Sequence, residues 1–155
     1  MRRRRAEIRH VPQDARYNSE ELTRFINRVM QRGKKTTAQR IIYSAFDIIR
    51  EESSRDPLEI FQQAIRNATP IVEVRPKRVG GATYQVPTEL RRGRSEALAM
   101  RWLIRGARAR KGMPMRRGLA QELMDASRGE GPAVRRKEEL HRMADANRAF
   151  VHYRR

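Results

Sequence analysis

The sequence predicts a mainly α-helical protein, a bundle of about six helices with one protruding two-stranded β-hairpin. Three observations carry that prediction. Apolar residues recur at helical spacing through most of the chain, and a single central stretch around Gly80-Gly81 switches to strand-type composition. The length of 155 residues suits one compact domain over 1–155.

Residues 1–16 hold Arg2, Arg3, Arg4, Arg5 and Arg9 with almost no periodic apolar signal, so this segment is expected to be an extended basic arm that orders on its partner. From Asn18 the pattern turns helical. Leu22, Phe25, Ile26, Val29 and Met30 share a face, Asn18 and Glu21 fit a capping box, and Gly33 supplies a stop. A second helix is expected after Thr36, with Ala38, Ile41, Ile42, Ala45, Ile48 and Ile49 on one stripe. Asp56, Pro57 and Glu59 mark the start of a third, which runs through Leu58, Phe61, Ile65 and Ala68 to Pro70.

The helical period breaks at Ile71. VEVRPKRV, Gly80-Gly81 and ATYQVP read as two strands joined by a two-residue turn with positive φ, giving a hairpin over 71–88 in which Val79 pairs with Ala82. Pro76 cannot donate to a ladder and demands a free edge, and a two-stranded ribbon needs outside support. The expected solution docks its base (Val72, Val74, Val86) on the helices and projects a finger of roughly 25 Å. Ser95 is then expected to cap a helix running to about Arg110, Met115 to Ser127 forms another, and Pro132 opens the last. Residues 150–155 read as a polar tail.

The formal net charge is +18 with a pI near 11.6, and half of the excess is local: residues 91–117 carry ten basic side chains against Glu96 alone. A charge that serves only solubility would be spread more evenly, so this segment reads as a face for a polyanion. Its basic positions are Arg91, Arg92, Arg94, Arg101, Arg105, Arg108, Arg110, Lys111, Arg116 and Arg117. Arg101, Arg105 and Arg108 recur at i, i+4 and i+7, one basic stripe on an otherwise apolar helix. The 31 arginines against 5 lysines suit bidentate phosphate contact, although a GC-rich coding bias gives the same ratio.

Several chemistries are excluded by what is missing from the sequence. With no cysteine there are no disulfides, thiolate metal sites or Cys nucleophiles. His10, His141 and His152 have no metal-ligand spacing, and none of the H-E-x-x-H, G-x-S-x-G or G-x-G-x-x-G patterns occurs, so no cofactor, metal or small-molecule substrate is expected. His141 and Asp145 fit an ordinary i, i+4 surface pair. Magnesium-dependent nucleic-acid chemistry would need a carboxylate cluster, and Glu20-Glu21, Glu51-Glu52 and Glu138-Glu139 are sequential helix-surface pairs. No apolar run approaches the roughly 18 residues of a membrane span, and no signal peptide is evident, which leads to an expectation of the cytoplasm and no membrane partner.

Lys34 and Lys35 fall in a helix–helix turn that suits either backbone phosphate or plain solvation. The hairpin tip is more specific. Turn chemistry accounts for Gly80 and Gly81, whereas Arg75, Lys77 and Arg78 beside Tyr84 suit phosphate contact with base stacking. Trp102 and Met100 lie on apolar faces and read as core. A helix-turn-helix DNA reader would expose a mixed polar recognition helix, but here the basic helix is mostly buried and bears only arginines on its stripe. A basic arm, a helix stripe and a ribbon on one body favour folded RNA over a DNA-binding nucleoid or regulatory module.

The residues themselves closely resemble the bacterial small-subunit ribosomal protein seven family. The resemblance lies in VEVRPKRVGGATYQVP from Val72, Gly33-Lys34-Lys35, ALAMRW from Ala97, AVRRKEELHRMADANRAF from Ala133 and His152-Tyr153-Arg154, in order through nearly the whole chain. It implies a non-enzymatic structural protein that binds the 3′ major domain of small-subunit ribosomal RNA and nucleates assembly of the subunit head. It also implies contact with ribosomal proteins nine and eleven. Near the exit site, the hairpin (Lys77, Arg78, Gly80, Gly81, Tyr84) and the end of the chain (Arg142, Arg148, His152, Tyr153) are expected to approach messenger and transfer RNA. Some members of the family repress their own operon. Many members end in Trp where this chain has Arg155, and Pro76 replaces a common small polar residue.

Overall fold

The computed structural model describes Arg4, Ala6, Glu7 and residues 9–154. Arg2, Arg3 and Arg5, expected to belong to the arm, lie outside the described residues. Among the described residues, six α-helices, one hairpin and a closing 3-10 helix follow in order: α1 (Glu20–Val29), α2 (Lys35–Ser53), α3 (Pro57–Ala68), β1 (Val72–Val79), β2 (Ala82–Glu89), α4 (Arg92–Ala109), α5 (Met115–Ser127), α6 (Gly131–Ala146) and the 3-10 helix Arg148–Arg154.

Local chemistry explains the boundaries, including those that differ from expectation. Ser19, not Asn18, caps α1: its Oγ accepts from the Leu22 amide at 3.2 Å, while Asn18 sits one residue outside with φ of 49°. That helix ends at Val29, before Gly33, and α2 already begins at Lys35. Asp56 caps α3 as expected, its Oδ1 accepting from the Leu58 amide at 3.2 Å with Pro57 behind it. α4 starts at Arg92, three residues before Ser95. The serine is instead a buried residue inside the helix, and its Oγ donates to the Arg92 carbonyl at 2.8 Å, satisfying a backbone acceptor in place. Pro132 is the second residue of α6 rather than the first.

The core lies where the apolar stripes meet. Phe25, Phe46 and Phe61 are fully buried, with ring centroids 5.1 Å apart for Phe25–Phe61 and 5.9 Å for Phe46–Phe61. Each such side chain contributes about 1.5–3 kcal/mol of burial, and the cluster joins α1, α2 and α3. α5 sits at the centre and packs on α2, α3, α4 and α6. It approaches α4 at two glycines. A Cβ on Gly118 would lie 2.8 Å from the Ala107 carbonyl, and one on Gly106 would lie 2.5 Å from Glu122 Oε1. Trp102 is buried in this core, as expected.

The hairpin register runs from Val79↔Ala82 to Val72↔Glu89, with Gly80 and Gly81 both at positive φ (57° and 87°). At its base Val86 and Pro87 are buried, with Val72 and Val74 half-buried. Glu73 is buried beside them. Ahead of α1, Asp14 and Arg16 are not part of a loose arm. Asp14 accepts from the Arg16 and Tyr17 amides at 3.0 Å each and from the Tyr43 hydroxyl at 2.6 Å, and Arg16 pairs with Asp47 at 2.7 Å.

Candidate nucleic-acid interface

The arginine stripe of α4 is exposed, as the i, i+4, i+7 spacing requires, and its other sides are buried in the bundle. A fourth guanidinium that spacing could not place joins it. Arg28, from the last turn of α1, lines a cleft of about 420 Å³ together with Arg101, Ile104, Arg105 and Arg108. Arg108 Nη2 donates to the Val29 carbonyl at 3.3 Å, which ties the stripe to the C-terminal end of α1. The turn from there leads to Lys34 and Lys35, both exposed. No side chain caps the start of α2, and no acidic residue lies in its first turn, so its leading N–H groups add positive potential on this side.

The ten basic residues of 91–117 divide by partner. Arg91, Arg101, Arg105, Arg108, Lys111, Arg116 and Arg117 are exposed and make no ion pair among the described residues. Arg92 pairs with Glu96 at 2.9 Å across one helical turn. Arg94 reaches Glu73 at 2.8 Å, where Arg75 also pairs. Burial opposes ionisation of Glu73, but hydrogen bonds from Arg94 and Arg75 outweigh it and hold the carboxyl below its usual range. Arg110 is turned inward: its Nη2 donates to Glu122 Oε2 at 3.0 Å and to Asp125 Oδ2 at 2.7 Å. Glu122 is fully buried and also accepts from the Ala133 amide at 3.2 Å, so it holds α4, α5 and the start of α6 together. Burial pushes its carboxyl up, against the pull of Arg110 and that amide. The structure thus gives Arg110, Arg94 and Arg75 internal roles among the residues expected to contact RNA.

The hairpin also departs from expectation. Arg78, Gly80 and Gly81 are exposed at the tip. Tyr84, expected to stack on bases, is instead packed by its own chain: its ring centroid lies 5.1 Å from both Phe150 and Tyr153, nearly parallel to the latter at 27°. Lys77 Nζ donates to the Tyr153 carbonyl at 2.6 Å. Residues 150–154 of the expected polar tail therefore belong to a docked 3-10 helix, and Arg155 lies outside the described residues. Arg142, Arg148 and His152 are exposed along this end, and Arg4 and Arg9 are exposed in the irregular N-terminal segment. His141, rather than facing Asp145, accepts the Ile71 amide on Nε2 at 3.2 Å. No group of three or more His, Asp or Glu side chains suited to a metal occurs among the described residues.

The described residues form a helical body that presents an open arginine face and a short β-ribbon. The family model for ribosomal protein S7p/S5e matches residues 1–148. The small ribosomal subunit protein uS7 of Thermotoga petrophila is 58% identical over 154 residues, covering 99% of both chains, and that of Chloroflexus aurantiacus is 57% identical over 152 residues, covering 98% of this chain and 97% of the relative. This chain belongs to the S7p/S5e family of ribosomal proteins, a family of structural rather than catalytic components. The resemblance carried by the hairpin and α6 segments holds along almost the entire sequence.

Proposed function

We propose that this chain is a structural constituent of the small ribosomal subunit in the bacterial cytoplasm and a primary binder of its ribosomal RNA. Its site is the 3′ major domain, where it nucleates assembly of the head alongside ribosomal proteins nine and eleven. The observation that carries this reading is the open cationic face of Arg28, Arg101, Arg105 and Arg108, continued by Lys34 and Lys35. Guanidinium groups without carboxylate partners supply affinity through phosphate neutralisation and counterion release. Specificity comes from the fixed shape of the bundle that carries them, because an array of arginines holds little base-reading capacity.

The hairpin tip, with Arg78, Gly80 and Gly81, and the end of the chain, with Arg142, Arg148, His152 and Tyr153, lie at the subunit interface near the exit site. There they approach messenger and transfer RNA. The bundle, the α4 stripe and the N-terminal arm hold ribosomal RNA. Competition binding tests the assignment: a head-domain ribosomal RNA fragment should resist displacement by an equal mass of duplex DNA. Displacement by the duplex would replace this reading with a DNA-binding one.

A further inference from the structure

The hairpin and the end of the chain, far apart in sequence, meet in an aromatic cluster and a charge-assisted hydrogen bond. Tyr84 of β2 packs against both Phe150 and Tyr153, whose own rings lie 6.3 Å apart and close to parallel at 24°. Lys77, the cross-strand neighbour of Tyr84, donates to the backbone of Tyr153, so the attachment engages both strands at the same rung. The 3-10 helix that supplies these groups follows α6 directly. Asn147 makes the join, its Nδ2 donating to the Met143 carbonyl at 2.7 Å while its own carbonyl accepts from the Phe150 amide at 3.0 Å.

A second attachment lies at the base, where buried Glu73 pairs with Arg94 of α4. Both Glu73 and Lys77 lie on the ribbon face that carries Thr88, Val86 and Tyr84. The two attachments therefore grip one face at successive heights. Only the rungs Arg78↔Thr83 and Val79↔Ala82 and the Gly80-Gly81 turn lie beyond them. An isolated two-stranded ribbon is marginal in water, so these attachments decide how rigid the finger is.

We propose that the C-terminal 3-10 helix is a strap that latches the hairpin. Closed through Phe150, Tyr153 and Lys77, it limits the projecting finger to Arg78–Thr83 and withholds the Tyr84 ring from any base until it opens. The strap is a property of the protein alone and does not depend on the RNA it binds.

Amide hydrogen exchange on the full chain without RNA tests it. In a Phe150→Ala, Tyr153→Ala double variant, the amides of 77–86 should exchange about tenfold faster, the factor expected from removing two aromatic pairs. Amides of α4 and α5 should keep their rates, which reports an intact bundle. The reciprocal change Tyr84→Ala should speed exchange across 148–153 to a similar degree, whereas Tyr84→Phe, which keeps the ring, should leave both segments unchanged. Unchanged hairpin rates in the double variant, unchanged tail rates in Tyr84→Ala, or equal effects of Tyr84→Phe and Tyr84→Ala would each overturn the strap.

Discussion

Arg94 donates from Nε and Nη2 to the carboxylate of Glu73, joining the first turn of α4 to the first strand of the hairpin across a side chain only 8% exposed. Its counterpart deeper in the bundle is the pairing of Arg110 with Glu122. Both pairs use part of the arginine excess internally, before any partner arrives.

Replacing Glu73 by Ala leaves Arg94 and Arg75 without their acceptor at the hairpin base. The arginines are themselves half-exposed, which limits the loss to about 1–2 kcal/mol, measurable by urea denaturation. Because the folded carboxyl titrates below its unfolded value of about 4.3, the stability it contributes is complete above that value and is lost as pH falls through the lower folded value. The stability gap between the wild-type protein and Glu73→Gln should therefore narrow on acidification. A gap that widens there would contradict the assignment.

Glu122 has the opposite sign. Its carboxyl titrates above the unfolded value in the folded state, so its contribution declines as pH rises from about 4.3 through the folded value. The stability of wild type relative to Glu122→Gln should fall across that window. Glu122→Ala should cost roughly 2–4 kcal/mol, because it empties a buried site and leaves the Ala133 amide without its acceptor.

Gly106→Ala drives a Cβ against the Glu122 carboxylate and should destabilise by about 1–3 kcal/mol. Combined with Glu122→Ala the clash has no target, so the double variant should lose less than the two single losses together. Strict additivity in a thermal or urea double-mutant cycle would show that the two residues do not meet.

Tyr43 is pushed up to about 12 by burial and by its hydrogen bond to Asp14. The stability that goes with the neutral phenol is complete below the unfolded value near 10 and disappears as pH rises through the folded one. Ultraviolet titration of Asp14→Ala should bring one tyrosine back toward about 10, while an unchanged titration curve would remove the Asp14 hydrogen bond.

Much of this architecture is legible in the sequence because it depends on local rules. Asp56-Pro57 starts a helix, Gly80-Gly81 sets the hairpin register, and the apolar spacing of α1 to α3 gives three stripes that must bury each other. What escapes sequence reasoning depends on distant segments meeting. Glu122 shares the spacing of Leu119, Leu123 and Ala126, a signal that it faces inward, but its partner Arg110 is indistinguishable by composition from the exposed arginines around it. Arg28 joins the α4 stripe only because two helices cross. Phe150 and Tyr153 stand at i and i+3, which eclipse in a 3-10 turn, yet the polar residues around them make the segment read as a loose tail.

On this account the open arginine face, rather than the total charge, binds ribosomal RNA. The most direct measurement is the salt dependence of binding to a head-domain ribosomal RNA fragment for the variant in which Arg28, Arg101, Arg105 and Arg108 are all changed to Gln, beside Arg110→Gln. The first should flatten the slope of log K against log salt by about 0.7–0.9 for each phosphate that is no longer neutralised, with folding intact. Arg110→Gln should lower stability and leave the slope alone. An unchanged slope in the fourfold variant, or an equal change from Arg110→Gln, would contradict the account.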